Sequence, residues 1–234
     1  MDQKTKEKIM DLLVDEKIFT LQGGPFKTSG GLDVPFYIDF RRLTSDPRTL
    51  SFICQVLTEE IKNNKIDAIG GIETTGIPFS TMISSMTNKP SFWLRKKIRD
   101  HGLLTIIAGK KPNKNDKIAL VDDSVGGGGS IELAKQNLEG EGYKIKLFVY
   151  IMEGDIMQTL EKRKSALEKQ GIKLWFICTW KEWINYLLTK KKISPELAKY
   201  NYEFIDNPKS FDAKKLAQYK RDLEEGKLWI GKKN

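Results

Sequence analysis

From residue 68 onward, short apolar runs alternate with stretches in which apolar residues recur every three or four positions. The runs at Ala68–Ile72, Ser91–Leu94, Leu103–Ala108, Ile118–Val121, Lys144–Met152 and Lys173–Thr179 predict strands. The spacing around Phe79–Met86, Ile131–Leu138 and Gln158–Gln170 predicts helices between them. Ahead of this region, Lys4–Glu16 carries Ile9, Met10, Leu12 and Leu13 on one helical face, and Ile18–Leu21 reads as extended. Gly23–Gly31 is turn-rich and reads as a loop, and strand character resumes over Val34–Asp39. Ser45-Asp-Pro-Arg48 is a helix start with Ser45 or Asp46 as cap, followed by an amphipathic helix over Leu50–Lys62. At the other end, Trp180–Leu188 and the segment after the cap Ser194 and Pro195 predict helices. Leu216, Tyr219 and Leu223 share a further helical face, and Trp229 and Ile230 are expected to dock within the chain or on a partner. Strands alternating with helices of this length imply βαβ units and a mainly parallel sheet.

One stretch organises the rest: Lys117-Ile-Ala-Leu-Val-Asp-Asp-Ser-Val-Gly-Gly-Gly-Gly-Ser130. It reads as a buried strand, two adjacent carboxylates where the strand ends, a glycine loop and a helix start. Such a loop turns backbone N–H groups toward an anion. Asp122 and Asp123 add a place for a ribose diol or a Mg²⁺ ion. Taken alone, Gly126–Gly129 serves equally as a flexible turn. No Gly-Lys-Ser/Thr follows it, so it is not the triphosphate loop, and it is not the dinucleotide GxGxxG pattern.

Composition narrows the picture. A chain of 234 residues with 39% hydrophobic and 30% charged residues suits a globular protein with a sizeable core. It holds no run of roughly 18 apolar residues, so no membrane span is predicted. The charged N-terminus lacks an apolar signal core, which makes the cytoplasm the expected location. Cys54 and Cys178 lie in apolar contexts and read as buried free thiols, and a single histidine argues against a structural zinc site. The net charge of +9 fits either nucleic acid or a highly anionic small substrate. It is concentrated between Leu94 and Lys117, with eight Lys/Arg against two Asp, just ahead of the glycine-loop strand. Basic and aromatic residues do not interleave as in single-strand binders, so nucleic acid is not the expected partner.

The order of hydrophobic strand, Asp-Asp, two residues, small-small-Gly-x-Ser resembles the phosphoribosyl diphosphate (PRPP) signature of type I phosphoribosyltransferases. Phe26-Lys-Thr-Ser-Gly with Pro35-Phe-Tyr-Ile-Asp-Phe-Arg41 is similar to the N-terminal signature of the orotate phosphoribosyltransferase family. Gly71-Ile-Glu-Thr-Thr-Gly-Ile-Pro-Phe is similar to its second loop, and Leu94-Arg-Lys-Lys-Ile-Arg-Asp-His-Gly102 to its mobile catalytic loop. With Gly171-Ile-Lys-Leu and Thr179-Trp-Lys-Glu-Trp-Ile, the resemblance runs in order over about residues 5–205. It implies the type I phosphoribosyltransferase fold: a mainly parallel twisted sheet flanked by helices, with an N-terminal hood and a C-terminal helical extension. Residues 1–205 would form the phosphoribosyltransferase domain, and residues 206–234 an extension of unassigned role.

The same resemblance implies the chemistry. PRPP and a base, orotate first of all, would give a nucleotide and diphosphate in de novo pyrimidine synthesis, with Mg²⁺ on the leaving group. Asp122 and Asp123 would hold the ribose hydroxyls and the metal, the latter largely through PRPP. Gly126, Gly127, Gly128, Gly129 and Ser130 would bind the 5′-phosphate, and Thr74, Thr75 and Gly76 the diphosphate. Arg95, Lys96, Arg99 and His101 would form a basic lid over PRPP, with Lys96, Arg99, His101 and Asp123 taking part in catalysis. Lys27, Phe36 and Tyr37, with Gly126, would face the base. Without the resemblance, Lys27 reads as a surface lysine and the two aromatics as core. In this family the lid commonly serves the neighbouring subunit, which implies a homodimer.

Five positions depart from the family pattern. Arg99 stands where a catalytic Lys is usual, which preserves charge but not shape. Thr75 stands where many members carry a diphosphate-binding Lys. Gly126 and Gly127 replace residues with more side chain, which predicts a looser loop that orders on its ligand. At the end of the strand, Val149-Tyr-Ile-Met-Glu-Gly-Asp155 lacks the Asp-Arg pair whose Arg recognises the orotate carboxylate; Met152 or its neighbour stands there. A phosphoribosyltransferase for a different base, or a PRPP- or nucleotide-sensing protein without turnover, are therefore the alternatives to an orotate enzyme.

Overall fold

The computed structural model describes residues 1–15, 18–20, 26–27, 33–34, 37–96, 105–154 and 156–231. They form two compact units. One is built from Leu43–Glu153 and Glu161–Ile177, the other from Asp2–Arg42, Gly154–Leu160 and Cys178–Asn234. Among the described residues no helix is long and apolar enough to cross a membrane.

The chain begins in the second unit with α1 (Gln3–Asp15), which buries Ile9, Met10 and Leu13 as its periodicity predicts. Strands β1 (Phe19–Thr20), β2 (Phe26–Lys27), β3 (Asp33–Val34) and β4 (Tyr37–Ile38) make two small antiparallel ribbons. β1 pairs with β4 through Phe19 and Ile38, and β2 with β3 through Phe26 and Val34. Two expectations change here. The turn-rich stretch contains a strand at Phe26–Lys27, and the strand predicted over Val34–Asp39 is divided in two.

The first unit holds α2 (Pro47–Asn63), β5 (Ala68–Ile72), α3 (Gly76–Thr87), β6 (Ser91–Leu94), β7 (Ile107–Gly109) and β8 (Lys117–Val125). It continues with α4 (Gly129–Gly140), β9 (Lys144–Glu153), α5 (Leu160–Glu168), whose first residue falls in the second unit, and most of β10 (Lys173–Thr179). Asp46, not Ser45, caps α2: its carboxylate accepts the Thr49 N–H at 2.7 Å. The six strands run in the order β10-β9-β8-β5-β6-β7. β5 is parallel to both β6 and β8, β8 is parallel to β9, and β7 is antiparallel to β6. Every residue of β5 is buried, and so are Ile118 to Asp122 of β8 and Ile145 and Leu147 to Glu153 of β9, the pattern of strands covered on both faces. The chain leaves β5 toward β6 on one side, then returns to lay β8 on the other. The carboxyl ends of β5 and β8 thus flank a topological switch point, where open α/β sheets bind their ligands.

The return part of the second unit carries α6 (Trp180–Thr189), α7 (Pro195–Asp206) and α8 (Ala213–Glu224). Thr179 and Glu182 close a capping box on α6, and the Trp183 indole N–H donates to the Met10 carbonyl at 3.1 Å. α8 is tied to α7 by the Tyr200 hydroxyl, which donates to Asp222 at 2.6 Å. Trp229 and Ile230 dock within the chain: the Ser194 N–H donates to the Trp229 carbonyl, and Ile230 bridges to Ile193. Both cysteines are buried and free, and burial pushes each thiol up to about 12.

Glycine sets how closely α3 approaches β5. A Cβ at Gly71 would collide with the Ser80 hydroxyl and lie 2.6 Å from the Gly76 carbonyl oxygen; one at Gly70 would lie 2.6 Å from Leu120. Gly71→Ala is therefore expected to lower stability by about 1–3 kcal/mol, the usual result of overpacking. Urea denaturation measures this, and an unchanged midpoint would show that α3 can withdraw freely.

Candidate active site

Two strand-to-helix connections meet at the switch point. After β5 the chain passes through Glu73, joined to Thr74 by a cis peptide bond, and enters α3 at Gly76. Thr75 occupies the cap position without capping through its side chain, so the first-turn N–H groups of α3 have no cap acceptor from it. Gly76 lies so close to β8 that an added Cβ would collide with the Val121 carbonyl. The second connection follows β8. Gly128 takes a left-handed conformation, φ +87°, as cap residue of α4, again with no side-chain cap. Nothing lies within 4 Å of a Cβ added at Gly127 or Gly129, so these two residues face open space. The uncapped start of the 12-residue α4 suits an anion, whereas at α3 the Gly76 amide turns to Asp122 and the Ile77 N–H donates to the Thr74 carbonyl at 3.3 Å.

The carboxylates sit between these loops, but not where the sequence puts them. β8 does not stop at Val121. It pairs with β9 as far as Val125 opposite Glu153, because β9 is long enough to supply a partner. Asp122 and Asp123 are thus strand residues. α4 likewise begins at Gly129, so Gly129 and Ser130 belong to its first turn.

Asp122 is buried and Asp123 is half-buried. Burial raises the Asp122 carboxyl well above its usual range, and the neighbouring Asp123 charge raises it further. The Asp123 amide, which donates to Asp122 at 3.0 Å, the Lys96 charge and the Gly76 amide oppose the shift. Burial also raises Asp123, against the Thr75 hydroxyl, the Ser124 N–H at 2.5 Å, the Ser124 hydroxyl at 3.2 Å and Lys96. Two carboxylates in a poorly solvated place disfavour their own ionisation, and a cation or hydroxyl donors between them would relieve it.

Lys96 stands at the edge of this arrangement. Its backbone N–H donates to the Glu73 carboxylate at 3.0 Å, and its ammonium is near enough to act on both aspartates. The Arg95 guanidinium points elsewhere, donating to the Thr105 carbonyl at 3.1 Å, while its N–H donates to Ile106. Arg95 therefore ties together the two ends of the segment between β6 and β7. Arg99 and His101 lie outside the described residues, as does Phe36. The Lys27 backbone is in β2. Tyr37 is exposed on β4 in the second unit, with its ring centroid 5.5 Å from that of Phe26 and its hydroxyl accepting from Arg41 at 3.2 Å. The first unit thus brings together Thr74, Thr75, Gly76, Lys96, Asp122, Asp123 and the loop from Gly126 to Ser130.

Three residues absent from the sequence reading belong here. Glu153, fully buried at the end of β9, pairs with the Arg163 guanidinium of α5. Arg163 also donates to the Gly126 carbonyl at 2.6 Å. Met152, the position singled out for its missing guanidinium, is buried in the core. The lone carboxylate ending an apolar strand was a signal for Glu153; Arg163 sits among Lys162 and Lys164 and carries none. The third is Tyr150, opposite Asp122 in the β8–β9 register. Its buried hydroxyl has Ser130 as a neighbour but no partner within hydrogen-bond distance among the described residues, and burial pushes the phenol far up.

This sheet order, with two strand-to-helix connections and an acidic pair at the switch point, is the type I phosphoribosyltransferase arrangement expected from the sequence. No protein-family model matches the chain. The orotate phosphoribosyltransferase of Methanocaldococcus jannaschii is 30% identical over 183 residues, 78% of this chain and 97% of that protein. The crystal structure of orotate phosphoribosyltransferase from Aeropyrum pernix superposes with a TM-score of 0.63 at 25% identity, covering 77% of this chain and 98% of that one. The structure of Leishmania donovani UMP synthase has a TM-score of 0.72 at 21% identity; the match covers 87% of this chain but spans only 42% of that longer protein. The chain belongs to the orotate phosphoribosyltransferase family.

The raised carboxyl pKa values make a prediction about stability. A carboxyl whose folded pKa lies above its unfolded value of 3.8 favours folding below that value and loses the contribution as pH rises through the folded pKa. Near neutral pH, then, Asp122 opposes folding. In chelator, Asp122→Asn is expected to raise the urea midpoint near neutral pH, with the gain shrinking toward pH 4. A variant less stable than the parent at neutral pH would contradict this.

Proposed function

We propose that the chain transfers the 5-phosphoribosyl group of PRPP to orotate, giving orotidine 5′-monophosphate and diphosphate. The observation that carries this reading is the acidic pair held between two strand-to-helix connections, in a chain of this family. The transferase lies in residues 1–205, and residues 206–234 form a helical extension.

Roles follow from charge and position. The amides of Gly126 to Gly129 and the start of α4 at Ser130 receive the 5′-phosphate. Asp122 and Asp123 accept hydrogen bonds from the ribose hydroxyls, which places the anomeric carbon between base and leaving group. Thr74, Thr75 and Gly76 hold the diphosphate. As the bond to diphosphate breaks, the ribose becomes oxocarbenium-like and charge accumulates on the leaving oxygens. Lys96, Arg99 and His101 meet that charge, each worth on the order of 2.7–4 kcal/mol if well placed. Closure of the basic segment excludes the water that would hydrolyse the activated ribose.

Among the described residues no group of three His, Cys, Asp or Glu side chains could hold a metal. Two hard carboxylate donors nevertheless fit a Mg²⁺ ion that takes most of its ligands from substrate oxygens. When bound, that ion neutralises the diphosphate. We assign the base to Lys27, Phe36, Tyr37 and Gly126 on the resemblance of their segments. A homodimer that shares its lids is part of the same proposal. The two buried free thiols suit a reducing compartment such as the cytoplasm.

The absent Asp-Arg pair favours one second reading, the same transfer to a different base. A single assay separates them. With PRPP, Mg²⁺ and orotate, the protein is expected to consume orotate's ultraviolet absorbance. Diphosphate release with another base and none with orotate selects the second reading, and PRPP binding without release from any base selects a sensor. In the active assay, Lys96→Ala is expected to lower turnover by about 10²–10³ while leaving PRPP affinity within a few-fold. Equal losses in both would remove Lys96 from the transition state.

A further inference from the structure

We propose that Arg163, held by Glu153, is a positioning residue that shapes the glycine loop from beneath, so that the loop meets its phosphate already formed. The proposal rests on the reading that Gly126 to Ser130 receive the 5′-phosphate of PRPP.

Two contacts and one close approach of a single guanidinium carry it. One nitrogen pairs with the Glu153 carboxylate, whose side chain is wholly enclosed at the end of β9. Another donates to the Gly126 carbonyl at 2.6 Å, fixing the first residue of the loop. The third, Nε, would lie 3.1 Å from a Cβ at Gly128. Gly128 takes a left-handed backbone that favours glycine, and any side chain there would have to displace the guanidinium. A planar fork with donors in several directions can serve a carboxylate and a carbonyl at once; an ammonium cannot do so in the same geometry.

This arrangement changes what four consecutive glycines mean. By composition they predict a loop that orders only on its ligand. In the structure, Gly126 is held by Arg163 and the guanidinium lies close to Gly128, while Gly127 and Gly129 face open space. The glycines therefore let the loop settle onto Arg163 and leave its upper surface clear for phosphate oxygens. Because Glu153 balances the Arg163 charge, the contribution is geometric rather than a gain in net positive charge. Arg163 does not need to touch the substrate.

Removing Arg163 alone would strand a buried carboxylate and endanger the fold. The test therefore uses Arg163→Lys, which keeps charge without the fork, and the double variant Glu153→Gln/Arg163→Met, which buries no unpaired charge. Hydrogen exchange of the ligand-free proteins is expected to speed up by about tenfold or more at residues 126–130 in both variants, with central β8 and β9 amides unchanged. In steady-state assays, KM for PRPP is expected to rise by about tenfold, with kcat and the KM for orotate changed less than about twofold. Unchanged exchange at 126–130 in both variants, or full rescue of KM by lysine, would overturn the proposal. If the parent protein bound no PRPP, the functional reading would fail, and the exchange experiment would still decide whether Arg163 shapes the loop.

Discussion

The structure turns on two carboxylates placed side by side where water cannot solvate them well. Asp122 and Asp123 are there because β8 continues to Val125 with β9 beside it, and because Gly76 allows the neighbouring connection to press against Val121. Both carboxyls are pushed toward their neutral forms. An arrangement that opposes its own ionisation is stabilised by whatever brings positive charge or hydroxyl donors to it. Lys96 supplies some of that from within the chain, and a ribose diol with its metal would supply the rest. Strain of this kind tends to persist where a ligand relieves it.

Around that pair, the proposed function leaves recognition of anions mainly to the backbone of the glycine loop and the start of α4. Neither Thr75 nor Gly128 supplies a side-chain cap; the Thr75 hydroxyl turns to Asp123 and the Gly76 amide to Asp122, while the start of α4 is left uncapped. Side chains act one layer back. Glu73 fixes the start of the basic segment through the Lys96 N–H, Arg95 joins its two ends, and Arg163 lies under the glycine loop. Close approach explains the glycines at 71 and 76, and a left-handed turn explains the one at 128.

Much of this was legible in the sequence, for identifiable reasons. The buried strands announced themselves as apolar runs, and the paired aspartates followed by glycines marked the loop before any coordinates. Boundaries were less legible. Where β8 ends depends on how far β9 runs beside it, a tertiary fact that no local propensity carries. The same holds for the ribbon strand at Phe26–Lys27, which exists through its pairing with Asp33–Val34. Arg163 was invisible among the charged residues of an exposed-looking helix, because its role depends on meeting Glu153 and Gly126, ten and thirty-seven positions away. Tyr150 looked like one more residue of a core strand.

The most direct measurement is a crystal structure of the protein with PRPP and Mg²⁺. The account predicts the ribose hydroxyls on Asp122 and Asp123, the 5′-phosphate on the amides of Gly126 to Ser130, and the diphosphate against Thr74 to Gly76. PRPP bound elsewhere, or bound with both carboxylates turned away from the ribose, would contradict it.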